Sequence, residues 1–128
     1  MKRLLTLSSL FLVMTMTLSC SKDVVAETTN PLLEEWTTEF GVPPFDKIRT
    51  EHYAPAFEEA MRMHNEEIAA IVASEEEPTF ENVILAMDNA GVKLYELNLI
   101  FGMLSSSDLD DKMQEVQNTM MPRVEEHY

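Results

Sequence analysis

Asn30 to Met61 reads NPLLEEWTTEFGVPPFDKIRTEHYAPAFEEAM, and its two halves obey different rules. In the first half Leu32, Leu33, Trp36, Phe40, Val42, Phe45 and Ile48 are apolar but keep neither a helical nor a strand period. Gly41, Pro43 and Pro44 impose turns, and the proline after Val42 pushes that residue toward an extended backbone. In the second half Pro55 is tolerated only in the first turn of a helix, so regular structure must begin between Tyr53 and Pro55. From there Phe57, Ala60, Met61, His64, Ile68, Ile71 and Val72 recur at helical spacing. An apolar strap without its own periodicity needs a surface to lie on. The pattern therefore predicts an all-α fold: a short irregular N-terminal strap docked on about three helices.

The remaining helices follow from the same arithmetic. Glu75 to Pro78 ends the first helix, and Thr79 is placed to cap the second, with Glu81 in its first turn to complement the helix dipole. Phe80, Ile84, Met87, Leu94, Leu97, Phe101 and Leu104 form one stripe; Leu85, Val92, Tyr95 and Leu99 widen it. A helix this broadly apolar is expected to touch neighbours on two sides. Unbroken from Phe80 to Leu104 it would be about 38 Å long. Gly91 near its middle costs about 1 kcal/mol against alanine, which a bend or a close helix contact would explain. Ser105 to Asp108 reads as a loop and cap. Leu109, Met113, Val116, Met120, Val124 and His127 then mark a third helix, which Pro122 should kink. The chain ends at Tyr128 within that stripe, without a capping Gly or Asn, and so reads as incomplete there.

The 128 residues carry a formal charge of −14. Lys2 and Arg3 are the only charged residues before Cys20, so the part after a removed leader is more acidic still. That balance argues against nucleic acid as a partner, which needs a basic footprint. Glu75, Glu76 and Glu77 read as a solvated loop. The single cysteine, Cys20, has no partner for an internal disulfide or a thiolate zinc cluster.

Residues 1–19, with the basic pair and the apolar run Leu4 to Leu18, have the layout of a signal peptide and are too short and interrupted for a permanent span. Thr17-Leu18-Ser19-Cys20 resembles a bacterial lipoprotein signal, in which cleavage precedes the cysteine and its thiol is acylated. The rival site follows Ala26. The Cys20 site is preferred, which predicts a lipid-anchored protein of a bacterial cell envelope with residues 20–29 as a polar tether; either site predicts export.

No set of residues in the chain spells a catalytic centre. His64 and Glu67 lie three apart on one helix, which fits a pair of surface polar groups better than two metal ligands. His52 reads as a structural hydrogen-bonding residue at the helix entry. Asp108, Asp110 and Asp111 lack the glycine and distal glutamate of a calcium loop. Trp36 and Phe40 read as core or interface.

NPLL, Trp36, FGVPPFDKI, EHYAPAFEEAM and, at Pro78 to Gly91, PTFENVILAMDNAG together resemble the start of the peptidyl-dipeptidases (Dcp), zinc metallopeptidases of the thimet oligopeptidase family. Leu94, Phe101, Leu104, Ser105, Pro122 and His127 extend the match more loosely, so it covers residues 30–128. The resemblance implies an N-terminal helical region, part of a wall over a deep channel, in an enzyme that releases dipeptides from the C-terminus of short peptides. Its chemistry needs His-Glu-x-x-His, where two histidines one turn apart hold zinc and the glutamate activates water. His52, His64 and His127 are not so spaced, and the family's motif lies far downstream. No catalytic or metal residue carries over, and zinc is expected only in the full-length protein. Trp36, Pro43, Pro44, Phe45, Tyr53, Pro55, Phe57, Phe80 and Gly91 are expected to be structural. The expected partners are the remainder of the peptidase, peptide substrates of the whole enzyme, and a membrane through the lipid anchor. The alternative is a stand-alone acidic helical lipoprotein, binding or structural, without catalysis.

Overall fold

Leu32 is almost fully buried although no helix contains it, and Leu33, Trp36 and Ile48 pack against the same core, so the two ends of the strap lie on the helices while Phe40, Val42 and Phe45 between them are exposed. The computed structural model describes residues 29–128; the leader, Cys20 and nearly all of the tether lie outside them. Turns at Pro31–Leu33 and 3₁₀ turns at Glu39–Gly41 and Thr50–His52 carry the strap into α1 (Tyr53–Val72). A π-helical turn at Phe80–Leu85 runs into the short α2 (Ala86–Asn89), followed by α3 (Val92–Ser107) and α4 (Asp111–His127). No strand occurs among the described residues, and the fold is all-α.

α1 is the central element, packing on α3 and on α4. Its inward stripe is Tyr53, Ala56, Phe57, Ala60 and Met61; the two alanines let the neighbouring backbones come close. α3 answers with Leu94, Leu97, Ile100 and Phe101, and α4 with Met113, Met120 and Val124. The Phe101 ring stands edge-on to both Tyr53 and Phe57, at centroid distances of 5.2 and 5.6 Å. Edge-to-face pairs of this kind add about 0.5–1.5 kcal/mol each beyond the area they bury.

Three expectations are corrected. The second helix is not continuous. Thr79 caps its start by exchanging hydrogen bonds with Asn82, as its position predicts, but the chain breaks at Ala90 (ψ 137°) and Gly91 (φ 77°) before α3 begins. Nor does it touch neighbours on two sides. Phe80, at 65 % exposure, and Ile84, Leu85 and Met87 face solvent, as do Val92, Tyr95, Leu99 and Met103 along the outer face of α3. The break separates the two halves of the apolar stripe: both halves touch α1, but only the later one buries its large side chains there, Leu94, Leu97 and Phe101. Finally, Ser105 to Ser107 are helical, and their hydroxyls fold back to donate to the carbonyls of Gly102, Met103 and Leu104 within the helix rather than ending it. The cap of α4 is Asp110, whose Oδ1 accepts the Met113 N–H at 2.7 Å, rather than Asp108. α4 continues through Pro122.

Candidate functional site

The junction of strap and α1 is built from short-range polar bonds over an apolar floor. The Asn30 side chain accepts the Leu32 N–H at 3.0 Å and donates to the His52 carbonyl at 2.8 Å, which ties the start of the strap to the helix entry. His52 Nδ1 accepts the Arg49 N–H at 3.1 Å, so this ring is engaged in shaping the turn. Trp36 is half-buried; its Nε1 donates to the Pro31 carbonyl at 2.9 Å and the Lys93 ammonium lies 4.8 Å from its ring centroid. Pro43 and Pro44 are half-buried and turn the strap toward Ile48, while Pro55 sits exposed in the first turn of α1. Phe40 is 91 % exposed and adopts a left-handed φ of 63°. It forms no cluster with Trp36, because the turn at Phe40–Gly41 directs the ring outward.

Below the strap lies a pocket of about 290 Å³ lined by Phe45, Ile48, Arg49, Tyr53, Leu104, Asp108, Asp110 and Met113 among others. Tyr53 is 1 % exposed, and its hydroxyl has no hydrogen-bond partner among the described residues. Burial pushes this phenol up to about 12.

A second polar constellation forms where α1 meets the end of α4. Glu67 Oε2 accepts the Gly91 N–H at 2.7 Å. His64 packs flat against Gly91, where a Cβ would come within 3.1 Å of three ring atoms. His64 Nδ1 also lies 2.9 Å from His127 Nε2. The His64–Glu67 pair considered as metal ligands is thus divided: the histidine turns to α4 and the glutamate to the break. The His64–His127 meeting is absent from the sequence reading, although both residues fall on apolar stripes, which is the one signal that hinted at it.

Among the described residues no three His, Cys, Asp or Glu side chains come together to hold a metal ion. The side chains present therefore do not fit the zinc centre that the resemblance implies for the whole enzyme. No described helix is long and apolar enough to cross a membrane.

No protein-family model matches the chain. Two curated proteins do resemble it. It is 36 % identical over 89 residues to dipeptidyl carboxypeptidase of Escherichia coli and 35 % identical over 88 residues to dipeptidyl carboxypeptidase of Salmonella typhimurium, covering 70 % and 69 % of this chain. It spans only 13 % of the length of each. The greater part of this chain is a segment related to dipeptidyl carboxypeptidase.

Proposed function

We propose, from this relation to one part of a dipeptidyl carboxypeptidase, that the chain is the N-terminal scaffold of an exported zinc peptidyl-dipeptidase, a wall of the channel through which short peptides reach a catalytic centre supplied by the rest of the enzyme. The observation that carries the reading is the similarity itself, which covers 70 % of this chain and 13 % of the relative. The outward apolar faces support it. Phe40, Phe80, Ile84, Tyr95, Leu99 and Met103 are all at least half exposed, and exposed apolar side chains in such number are what an interface would cover. The remainder of the peptidase is the partner that would cover them. Zinc would supply a polarised water in that remainder. The role of this chain's residues is positional: α1, held by α3 and α4, keeps the wall rigid, and the strap fixes how the wall begins.

Metal analysis after dialysis and an assay for C-terminal dipeptide release test the assignment. The chain alone should bind no stoichiometric zinc and release nothing; a longer product read from the coding region past Tyr128 should do both. Tight one-to-one zinc with chelator-sensitive cleavage by the chain alone would overturn the scaffold reading.

A second reading, an acidic helical lipoprotein with a binding or structural role and no catalysis, is favoured by the way the strap closes on the chain's own helices. The Asn30 bridge to His52 and the burial of Leu32 need nothing from outside. A stop directly after Tyr128 in the coding region, with a monomeric and cooperatively folded product, would make it the better account.

A further inference from the structure

His64 of α1 and His127 of α4 meet ring to ring, with Nδ1 and Nε2 2.9 Å apart, centroids 5.0 Å apart and planes inclined at 59°. Nitrogens that close with centroids that far apart mean that the rings face each other almost end to end. That is how an N–H approaches a lone pair. Two ligands of one metal ion would instead both turn aside toward a shared point. In a neutral imidazole one nitrogen donates and the other accepts, whereas in the imidazolium both donate. The contact therefore survives when the pair is neutral, and also when one ring is charged, because one facing nitrogen still offers a lone pair. It fails when both rings are charged.

The surroundings offer the second charge nothing. On α1, Glu67 spends Oε2 on the Gly91 N–H, and Arg62 is held at the surface by Glu59 and Glu66. On α4, Arg123 is paired with Glu58, and Glu125 and Glu126 are exposed. The link before α3 contributes the Gly91 backbone. Tyr128 lays its ring 6.0 Å from His64 and 5.9 Å from His127, centroid to centroid, and partial burial raises its phenol above the ordinary value. Near the break stand Asp88 and, paired with Glu96, Lys93. Among the described residues no carboxylate lies within ion-pair distance of either imidazole.

We propose that the His64–His127 hydrogen bond is a pH-operated latch between α1 and the turn of α4 that carries His127, closed while one facing nitrogen is bare and open when both carry protons. Burial, and secondarily the neighbouring His64, lowers the His127 pKa from its ordinary value of 6.5. A histidine depressed in the folded state adds stability that is complete above the unfolded value and lost as pH falls through the folded one. Opening therefore belongs to mildly acid conditions. Met120 and Val124 are buried in the core, whereas His127 is held to α1 by this contact.

Imidazole titration by NMR on the full chain, with amide exchange along α4, tests the latch. The facing pair should take up its protons in two separate steps, with His127 charging below its ordinary value of 6.5. Exchange at residues 125–127, corrected for its intrinsic pH dependence, should rise about tenfold across the second step relative to residues 113–120. His127→Phe keeps a ring in place without the bond and should make that difference independent of pH. Should the variant fail to fold, the wild-type titration still decides. A His127 that charges at its ordinary value, or exchange at residues 125–127 that ignores the second step, would overturn the proposal.

Discussion

Glu67 Oε2 accepts the backbone N–H of Gly91 at 2.7 Å, so a carboxylate on α1 holds the break that precedes α3. Gly91 has φ 77°, a conformation costing about 1–2 kcal/mol for a residue with a Cβ, and a Cβ here would also press on the His64 ring. Gly91→Ala should therefore destabilise the chain by about 1–3 kcal/mol, read as a lower urea midpoint. Glu67→Gln, which retains an accepting oxygen, should cost clearly less than Glu67→Ala. Equal costs for the two would mean that Gly91 does not depend on this bond.

Tyr53 should behave as a buried phenol without a partner. Its pKa, pushed up to about 12 by burial, exceeds the ordinary 10.0, so its contribution to stability is complete below about pH 10 and lost as pH rises through the folded value. In an alkaline titration followed by near-ultraviolet absorbance, one tyrosinate should appear late and together with unfolding. Tyr53→Phe should remove that late step and leave stability unchanged or raise it by up to about 1 kcal/mol, since no hydrogen bond is lost. A loss above about 1 kcal/mol would show that the hydroxyl does have a partner, such as a bound water.

Cys20 lies outside the described residues, and its role is tested directly in a bacterial host. Cys20→Ala should abolish acyl labelling and leave an unprocessed or differently cleaved precursor. The mass of the wild-type N-terminus should correspond to an acylated Cys20. An unlipidated protein starting at Glu27 would favour cleavage after Ala26 and refute the lipid anchor.

The outer face of α3 should make the isolated segment associate. Tyr95→Lys with Leu99→Lys places two charges on a face that buries nothing within the chain, so helicity should persist while dye binding and apparent mass in solution fall. Burial is worth about 25 cal/mol per Å², so covering several hundred Å² there would add several kcal/mol, comparable to the whole stability of a small domain. A wild-type monomer with a sharp reversible transition and no dye binding would contradict the missing-partner reading.

Local rules in the sequence settled where α1 and the turn at Phe80 start and supplied much of the core. Pro55 allowed α1 no earlier residue than its immediate neighbours, Thr79 marked the turn before Phe80, and the 3.6-residue period selected Phe57, Leu94, Leu97, Phe101, Met113, Met120 and Val124 for the core. Periodicity identifies a face but not the element that covers it. The outward-facing Tyr95 and Leu99 therefore read the same as the buried Leu94 and Leu97, and only packing on α1 separated them. Gly91 announced an irregularity; that it became a complete break depended on Glu67 and His64, which reach it from another helix. His64 and His127 are 63 positions apart, a separation that no local pattern spans, and they were joined only when α1 and α4 packed and left each ring the other as its nearest polar partner.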